Sequence, residues 1–143
     1  MISLRGVTKR FGERTLFAGF DLDLEPGRTT VLMGRSGSGK STLLRLLNQL
    51  ERHDAGTLRC DTLEIPAGLS HGEWQRRALQ LRRRTAMVFQ SYQLFPHLSV
   101  LDNVTLGPRK AQKVARSEAE GRAIELLERF GLAEHAGKYP EQL

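Results

Sequence analysis

Apolar and polar positions alternate through the start of the chain. Ile2, Leu4 and Val7 are set against Ser3, Arg5 and Lys9, which predicts a half-buried strand over 2–9. Arg10-Phe11-Gly12-Glu13-Arg14 reads as a turn, and the strict alternation Phe20-Asp21-Leu22-Asp23-Leu24 as a second strand. Glu25-Pro26-Gly27 is a strong turn signal. Beyond it the pattern changes. Thr29-Thr30-Val31-Leu32-Met33 is a continuous β-branched and apolar run, the signature of a strand covered on both faces. From Ser41 to Leu50 the spacing becomes helical, with Leu43, Leu46, Leu47 and Leu50 on one face.

A polar connector, Arg52-His53-Asp54-Ala55-Gly56, leads to two short strands, Gly56–Cys60 and Thr62–Ile65, closed by Pro66-Ala67-Gly68. Ser70 followed by Glu73 is a capping box. The helix it opens places Trp74, Ala78 and Leu81 on one side and Arg76, Arg77, Arg83 and Arg84 mostly on the other. Thr85-Ala86-Met87-Val88-Phe89 is a second buried-type strand, ending at Gln90, and Ser91–Leu98 is an aromatic loop. Ser99 and Asp102 repeat the capping pattern, with Gly107-Pro108 expected to stop the helix. Ser117 and Glu120 form a third box, for a helix carrying Ala119, Ala123, Leu126, Leu127 and Phe130 and ending at Gly131. The expected organisation is a small antiparallel β layer attached to a parallel α/β core, with no internal repeat.

Between the Thr29–Met33 strand and the following helix lies Gly34-Arg35-Ser36-Gly37-Ser38-Gly39-Lys40-Ser41-Thr42, which satisfies G-x-x-x-x-G-K-[ST] at every fixed position. Glycines allow backbone angles and approaches that a Cβ blocks, so successive N–H groups can turn inward as an anion-binding nest. The helix N-terminus adds about half a positive charge at the same place. Lys40 supplies a full charge for β- and γ-phosphates, Ser41 a hydroxyl for Mg²⁺, and Thr42 another near the phosphates. This predicts binding of a nucleoside triphosphate with magnesium.

The 143 residues suit one domain or part of a larger one, and 39% hydrophobic content supports a packed core. A net charge of +6 permits anionic partners without specifying one. Cys60 is the single cysteine, which excludes an internal disulfide; its alternating surroundings predict a core thiol. No charged-then-apolar leader and no membrane-length apolar run is present, so a cytosolic chain is expected. His53, His71 and His135 have no partner at ligand spacing and are read as surface residues. No aromatic interleaves with Arg76–Arg84, which argues for a solvated face and against a nucleic-acid partner.

Assembled, these motifs resemble the ATP-binding subunit of an ABC (ATP-binding cassette) transporter over the full length given. The most specific stretch is Met87-Val88-Phe89-Gln90-Ser91-Tyr92-Gln93-Leu94-Phe95-Pro96-His97-Leu98-Ser99-Val100-Leu101-Asp102-Asn103-Val104, which looks like that of polar amino acid importers. The resemblance implies a P-loop NTPase fold. Its parts are a RecA-like parallel core with an N-terminal antiparallel β layer over about 1–90, and the start of a helical subdomain over about 91–143. It implies ATP and Mg²⁺ as cofactors, with Phe11 stacking on adenine, Gly34 to Thr42 holding the phosphates, and Gln90 reaching Mg²⁺ and the attacking water. Lys40 and Gln90 are then the catalytic contributions of this half. Phe95, Pro96 and His97 fall where the family's cassette meets its transmembrane permease subunits. A second ATPase subunit, as dimer partner, and a peripheral place on the cytoplasmic face of the inner membrane are also implied.

The pattern is incomplete. In the family, the signature sequence follows a run like Lys138-Tyr139-Pro140-Glu141-Gln142-Leu143, and the second acidic strand and switch histidine come later still. None of the sixteen acidic residues here follows a long apolar run as a strand-end aspartate should. A positioned base is worth about 10²–10⁴ in rate, and a group supplied in trans to the γ-phosphate about 10³–10⁵. These residues alone are therefore expected to bind nucleotide with almost no hydrolysis. Thr29–Met33 and Thr85–Phe89 are expected to be left partly unpaired, and the isolated chain to be loosely folded or poorly soluble. Two other readings remain: a different P-loop class, a small kinase or a GTPase, the latter needing an absent N-K-x-D run, and a non-catalytic protein, either a naturally short nucleotide-binding module or a DNA-handling relative of the ABC class.

Overall fold

The computed structural model describes Met1–Leu143 and divides the chain into two units, Met1–Met87 and Val88–Leu143. In the first unit, β1 (Ile2–Phe11), β2 (Arg14–Leu24), β3 (Ala55–Cys60) and β4 (Leu63–Pro66) form a four-stranded antiparallel sheet in the order β2-β1-β3-β4. Helix α1 (Lys40–Leu47) follows the phosphate loop, and α2 (His71–Arg82) follows β4. Leu4 and Val7 from β1, Leu58 and Cys60 from β3, and Leu63 and Ile65 from β4 build the core together with Leu43, Leu46 and Leu81 from the helices. The expected antiparallel layer and the core thiol are both present.

Strand β2 begins six residues earlier than the alternation indicates. The reason lies in its register. Leu4 pairs with Leu22, but the ladder shifts before Val7–Phe20 and twice more before Arg10–Thr15. Gly6 and Gly19 sit at φ of 59° and 63°, and the amide of Gly6 donates to Asp21 Oδ1 at 2.6 Å. Each irregularity changes which face a residue occupies, so period-two alternation is lost although the strand continues. Two positions read as polar-facing, Ser3 and Lys9, are buried, and only Lys9 lies beyond a shift in the ladder.

Thr29–Met33 and Thr85–Phe89 are not strands here, and no parallel ladder forms. No other segment pairs with either run, and Val31, Met33 and Val88 are 73, 89 and 94% exposed. A run of buried-type residues is stable as a strand only with neighbours on its edges and cover on its faces. The expectation that both runs are left unpaired holds; the expectation that they are strands does not.

His53 was expected at the surface and is instead 6% exposed, with Nε2 lacking any hydrogen-bond partner. Burial pushes its pKa below the usual histidine value, opposed in part by the backbone of Ile65 and Gly56 and by the neighbouring Asp54. The connector holding it is fixed by the amide of Asp54 donating to Thr8 O and the amide of Arg10 donating to Asp54 Oδ2. At the end of α1, Gln49 is fully buried: its Oε1 accepts from Trp74 Nε1 at 2.7 Å and its Nε2 donates to Leu46 O. This joins α1 to α2, whose Ser70–Glu73 capping box forms as expected.

In the second unit, α3 (Val100–Ala111) and α4 (Arg116–Arg129) pack on one another, followed by short 3-10 turns at Ala133–His135 and Pro140–Gln142. The amides of Val100 and Leu101 donate to Lys138 O and Ala136 O, and Ser99 Oγ caps α3 by accepting from the amide of Asp102. Helix α3 does not stop at Gly107-Pro108. Proline forfeits its own amide bond, yet its carbonyl still accepts from Gln112 and Val114, and the helix runs on to Ala111. Helix α4 starts at Arg116, with Ala115 as the cap residue and no side-chain cap, so the Ser117 box does not form. Glu118 and Glu120 are instead engaged by Arg122 and Arg116 one turn away, which leaves neither free to reach back. Ala119, Ala123 and Leu127 are buried, whereas Leu126 and Phe130 are exposed. The end at Gly131 is a Schellman cap: φ is 68°, Gly131 donates to Glu128 O and Leu132 to Leu127 O.

Candidate functional site

The phosphate loop leaves the extended Thr29–Met33 run and enters α1 through three glycines. Gly37 and Gly39 have φ of 76° and 97°, values that L side chains rarely adopt. At Gly39 the space is closed as well: an added Cβ would lie 2.9 Å from Phe17 Cζ and 3.1 Å from Leu16 Cδ2. The loop therefore packs directly on β2. Gly39 is also the cap residue of α1, with no side-chain hydrogen bond at the cap and no acidic residue in the first turn. By helix geometry the amides of Lys40, Ser41 and Thr42 have no intrahelical acceptor, and the helix's own first turn carries no carboxylate to offset its positive end.

Lys40 Nζ donates to Gly34 O and Arg35 O, each at 2.8 Å, folding the side chain back over the loop. Ser38 N donates to Arg35 O at 3.3 Å and tightens the turn. Arg35, Ser36, Gly37, Ser38 and Ser41 are exposed, and Gly39, Lys40 and Thr42 are half-buried.

A cleft of about 350 Å³ joins this loop to the N-terminal sheet and is lined by Phe11, Arg14, Leu16, Gly37, Gly39, Ser41 and Thr42. Its volume lies at the lower end of the range for small-molecule sites. The structure thus brings Phe11 and the loop residues from Gly37 onward, 26 or more positions apart in the chain, to one place. Phe11 is the last residue of β1 rather than a turn residue, and its ring is 48% exposed. Arg14 and Leu16 escaped the sequence reading because the turn signal at Gly12-Glu13 hid the start of β2; the apolar Leu16-Phe17 pair was the one available sign. An uncapped, cationic helix end beside a glycine loop, an exposed serine hydroxyl and an aromatic ring is a donor set that fits a nucleoside triphosphate with a hard divalent cation. Nowhere do three His, Cys, Asp or Glu side chains gather as a group that could hold a metal ion.

Gln90 belongs to the second unit, where it is exposed in the loop preceding α3. That loop is ordered by Asn103, a residue the sequence reading did not single out. Its Oδ1 accepts from the amide of Phe95 at 2.8 Å, and its Nδ2 donates to the carbonyls of Leu98 and Ser99. Phe95 and His97 stack edge to face at 6.0 Å, and Tyr92 and Phe95 are 87 and 48% exposed. No helix is long and apolar enough to cross a membrane.

Comparison with known proteins agrees with this geometry. The family model described as ABC transporter matches residues 17–143. The glutamate transport ATP-binding protein GluA of Corynebacterium glutamicum is 46% identical over 143 residues, covering 100% of this chain and 57% of that protein. The glutamine transport ATP-binding protein GlnQ of Escherichia coli is 41% identical with the same coverage. The chain thus spans a little over half the length of these relatives. Among solved structures, the ATP-binding cassette MJ0796, in a dimeric post-hydrolysis state bound to ADP and Pi, superposes with a TM-score of 0.80 at 30% identity, over 100% of this chain and 63% of the other. The loop, the cleft and these likenesses converge: the chain is an incomplete P-loop NTPase cassette and belongs to the ABC transporter family.

Proposed function

We propose that the chain binds ATP with Mg²⁺ and, in the complete protein, serves as the ATPase that drives import of a polar amino acid through a membrane-embedded partner. The observation that carries the reading is the cleft uniting Phe11 with Gly37, Gly39, Ser41 and Thr42. In it, the adenine stacks on Phe11, worth roughly 1–3 kcal/mol for a base on an aromatic face. The loop amides and the α1 N-terminus hold the phosphates, and Lys40 exchanges the carbonyls of Gly34 and Arg35 for β- and γ-phosphate oxygens. Ser41 would give its hydroxyl to Mg²⁺, which when bound neutralises phosphate charge; Gln90, which belongs to the second unit, is assigned the orienting of water in the complete protein. Arg35, Ser36 and Ser38 frame the loop's outer rim.

The amino-acid transport named for the relatives supports the importer assignment. The exposed Tyr92 and the Phe95-Pro96-His97 segment, held in shape by Asn103, form the surface assigned to the permease subunits. The dimeric neighbour supports pairing with a second ATPase subunit, and the proposal places that pair at the cytoplasmic face of the membrane. Competition between ATP and GTP for the complete protein tests the nucleotide assignment. ATP is expected to displace a labelled ATP analogue at least as well as GTP does; a strong preference for GTP contradicts it.

A further inference from the structure

Lys9 is 6% exposed, unusual for a lysine, and its surroundings explain how the charge is tolerated. Nζ pairs with Glu51 Oε1 at 2.6 Å and donates to Arg52 O at 2.9 Å. The same ammonium lies 4.6 Å from the centroid of the Phe11 ring, within cation–π range. One side of the ring is thus occupied by a fixed charge, while the ring remains 48% exposed and lines the cleft. Glu51 and Arg52 belong to the connector that follows α1, the helix that opens at the phosphate loop. Lys9 therefore bridges two structures: the strand end that presents Phe11, and the chain leaving the phosphate-loop helix.

We infer that Lys9, locked by Glu51, is a positioning residue that holds the Phe11 ring for the nucleobase and ties that platform to the phosphate-loop helix. The inference rests on the proposal that Phe11 stacks the base. It is specific about what the lysine does. The Lys9 ammonium never touches nucleotide; it fixes the ring's orientation, so its loss is felt by ligands with a base and not by those without one. A lysine serving only to hold the fold would affect both alike.

The test measures affinity of the complete protein for MgATP and for magnesium tripolyphosphate, in the parent, Lys9→Met, Phe11→Ala and the double variant. Lys9→Met keeps the apolar stem, and a companion Lys9→Met/Glu51→Gln protein removes the orphaned carboxylate. Both are expected to bind MgATP about 3- to 10-fold more weakly while tripolyphosphate affinity stays within about twofold. Adding Lys9→Met to Phe11→Ala is expected to cost nothing further, since the ring through which the lysine acts is gone. Equal losses for both ligands, no loss for either, or an additive loss on Phe11→Ala overturns the inference. If Phe11→Ala alone leaves MgATP affinity intact, base stacking itself falls and the inference with it. If Phe11→Ala weakens MgATP but Lys9→Met does not, stacking stands and the role of Lys9 alone is refuted.

Discussion

Replacing Lys40 by alanine in the complete protein is expected to weaken MgATP binding by about 10- to 100-fold, because a hydrogen bond to a charged group contributes about 1.5–3 kcal/mol. The loss is kept to that range by the structure itself. Without ligand, Nζ already bonds two carbonyls at 2.8 Å, so nucleotide binding exchanges those partners and does not create contacts from nothing. The alanine variant should fold normally, since Gly34 and Arg35 are exposed and water can satisfy their carbonyls. Titration calorimetry, beside a thermal melt, separates the two effects. Unchanged affinity in a folded variant would remove Lys40 from the site, and a variant that fails to fold would show that the Lys40 bonds to the loop carbonyls are structural.

The second large effect lies away from the phosphate loop. Gly56→Ala is expected to destabilise the first unit by about 2–5 kcal/mol, combining left-handed strain with overpacking. Gly56 has φ of 85°, and an added Cβ would lie 2.5 Å from Arg5 O and from the backbone of Gly6. Backbone atoms cannot step aside as a side-chain tip does, so β1 and β3 must separate where their ladder shifts between Arg5 and Thr8. Gly68→Ala is the control: φ is similar at 78°, but nothing lies within 4 Å of its added Cβ. It should lose only the strain, about 1–2 kcal/mol. Urea melts of the two variants check the difference; equal losses would mean that the close approach to β1 carries no cost.

What could be read in the sequence was what depends on adjacent residues. The phosphate loop is nine consecutive positions whose glycines and lysine act on one another, and the Ser70–Glu73 and Ser99–Asp102 caps span four positions each. The Ser70–Glu73 box forms as read, Ser99 caps α3 by accepting from the amide of Asp102, and α1 opens directly behind the glycine loop. Features set by distant segments were not legible. Lys9 looks like a solvent-facing strand position until Glu51, 42 positions later, closes over it. His53 looks like a loop histidine until Gly56 and Ile65 fold around it. Helix α4 starts earlier than its best cap residue, and the arginine–glutamate pair gained by that earlier start is Arg116–Glu120. The Thr29–Met33 and Thr85–Phe89 runs show the reverse case. Their composition demands cover on both faces, and no segment of these 143 residues provides it. The cleft combines both kinds of information: one wall is the local motif, and the other is a β1–β2 hairpin end whose bulged ladder hid Arg14 and Leu16.

Backbone amide resonances of the complete protein, followed as magnesium tripolyphosphate is added, address the central claim most directly. If the glycine-lined loop and the open end of α1 hold the phosphates, the largest and saturable shifts fall on Gly37, Gly39, Lys40, Ser41 and Thr42, with the α2 and α4 amides unmoved. Saturable shifts centred anywhere else, or none at these five amides, would contradict it.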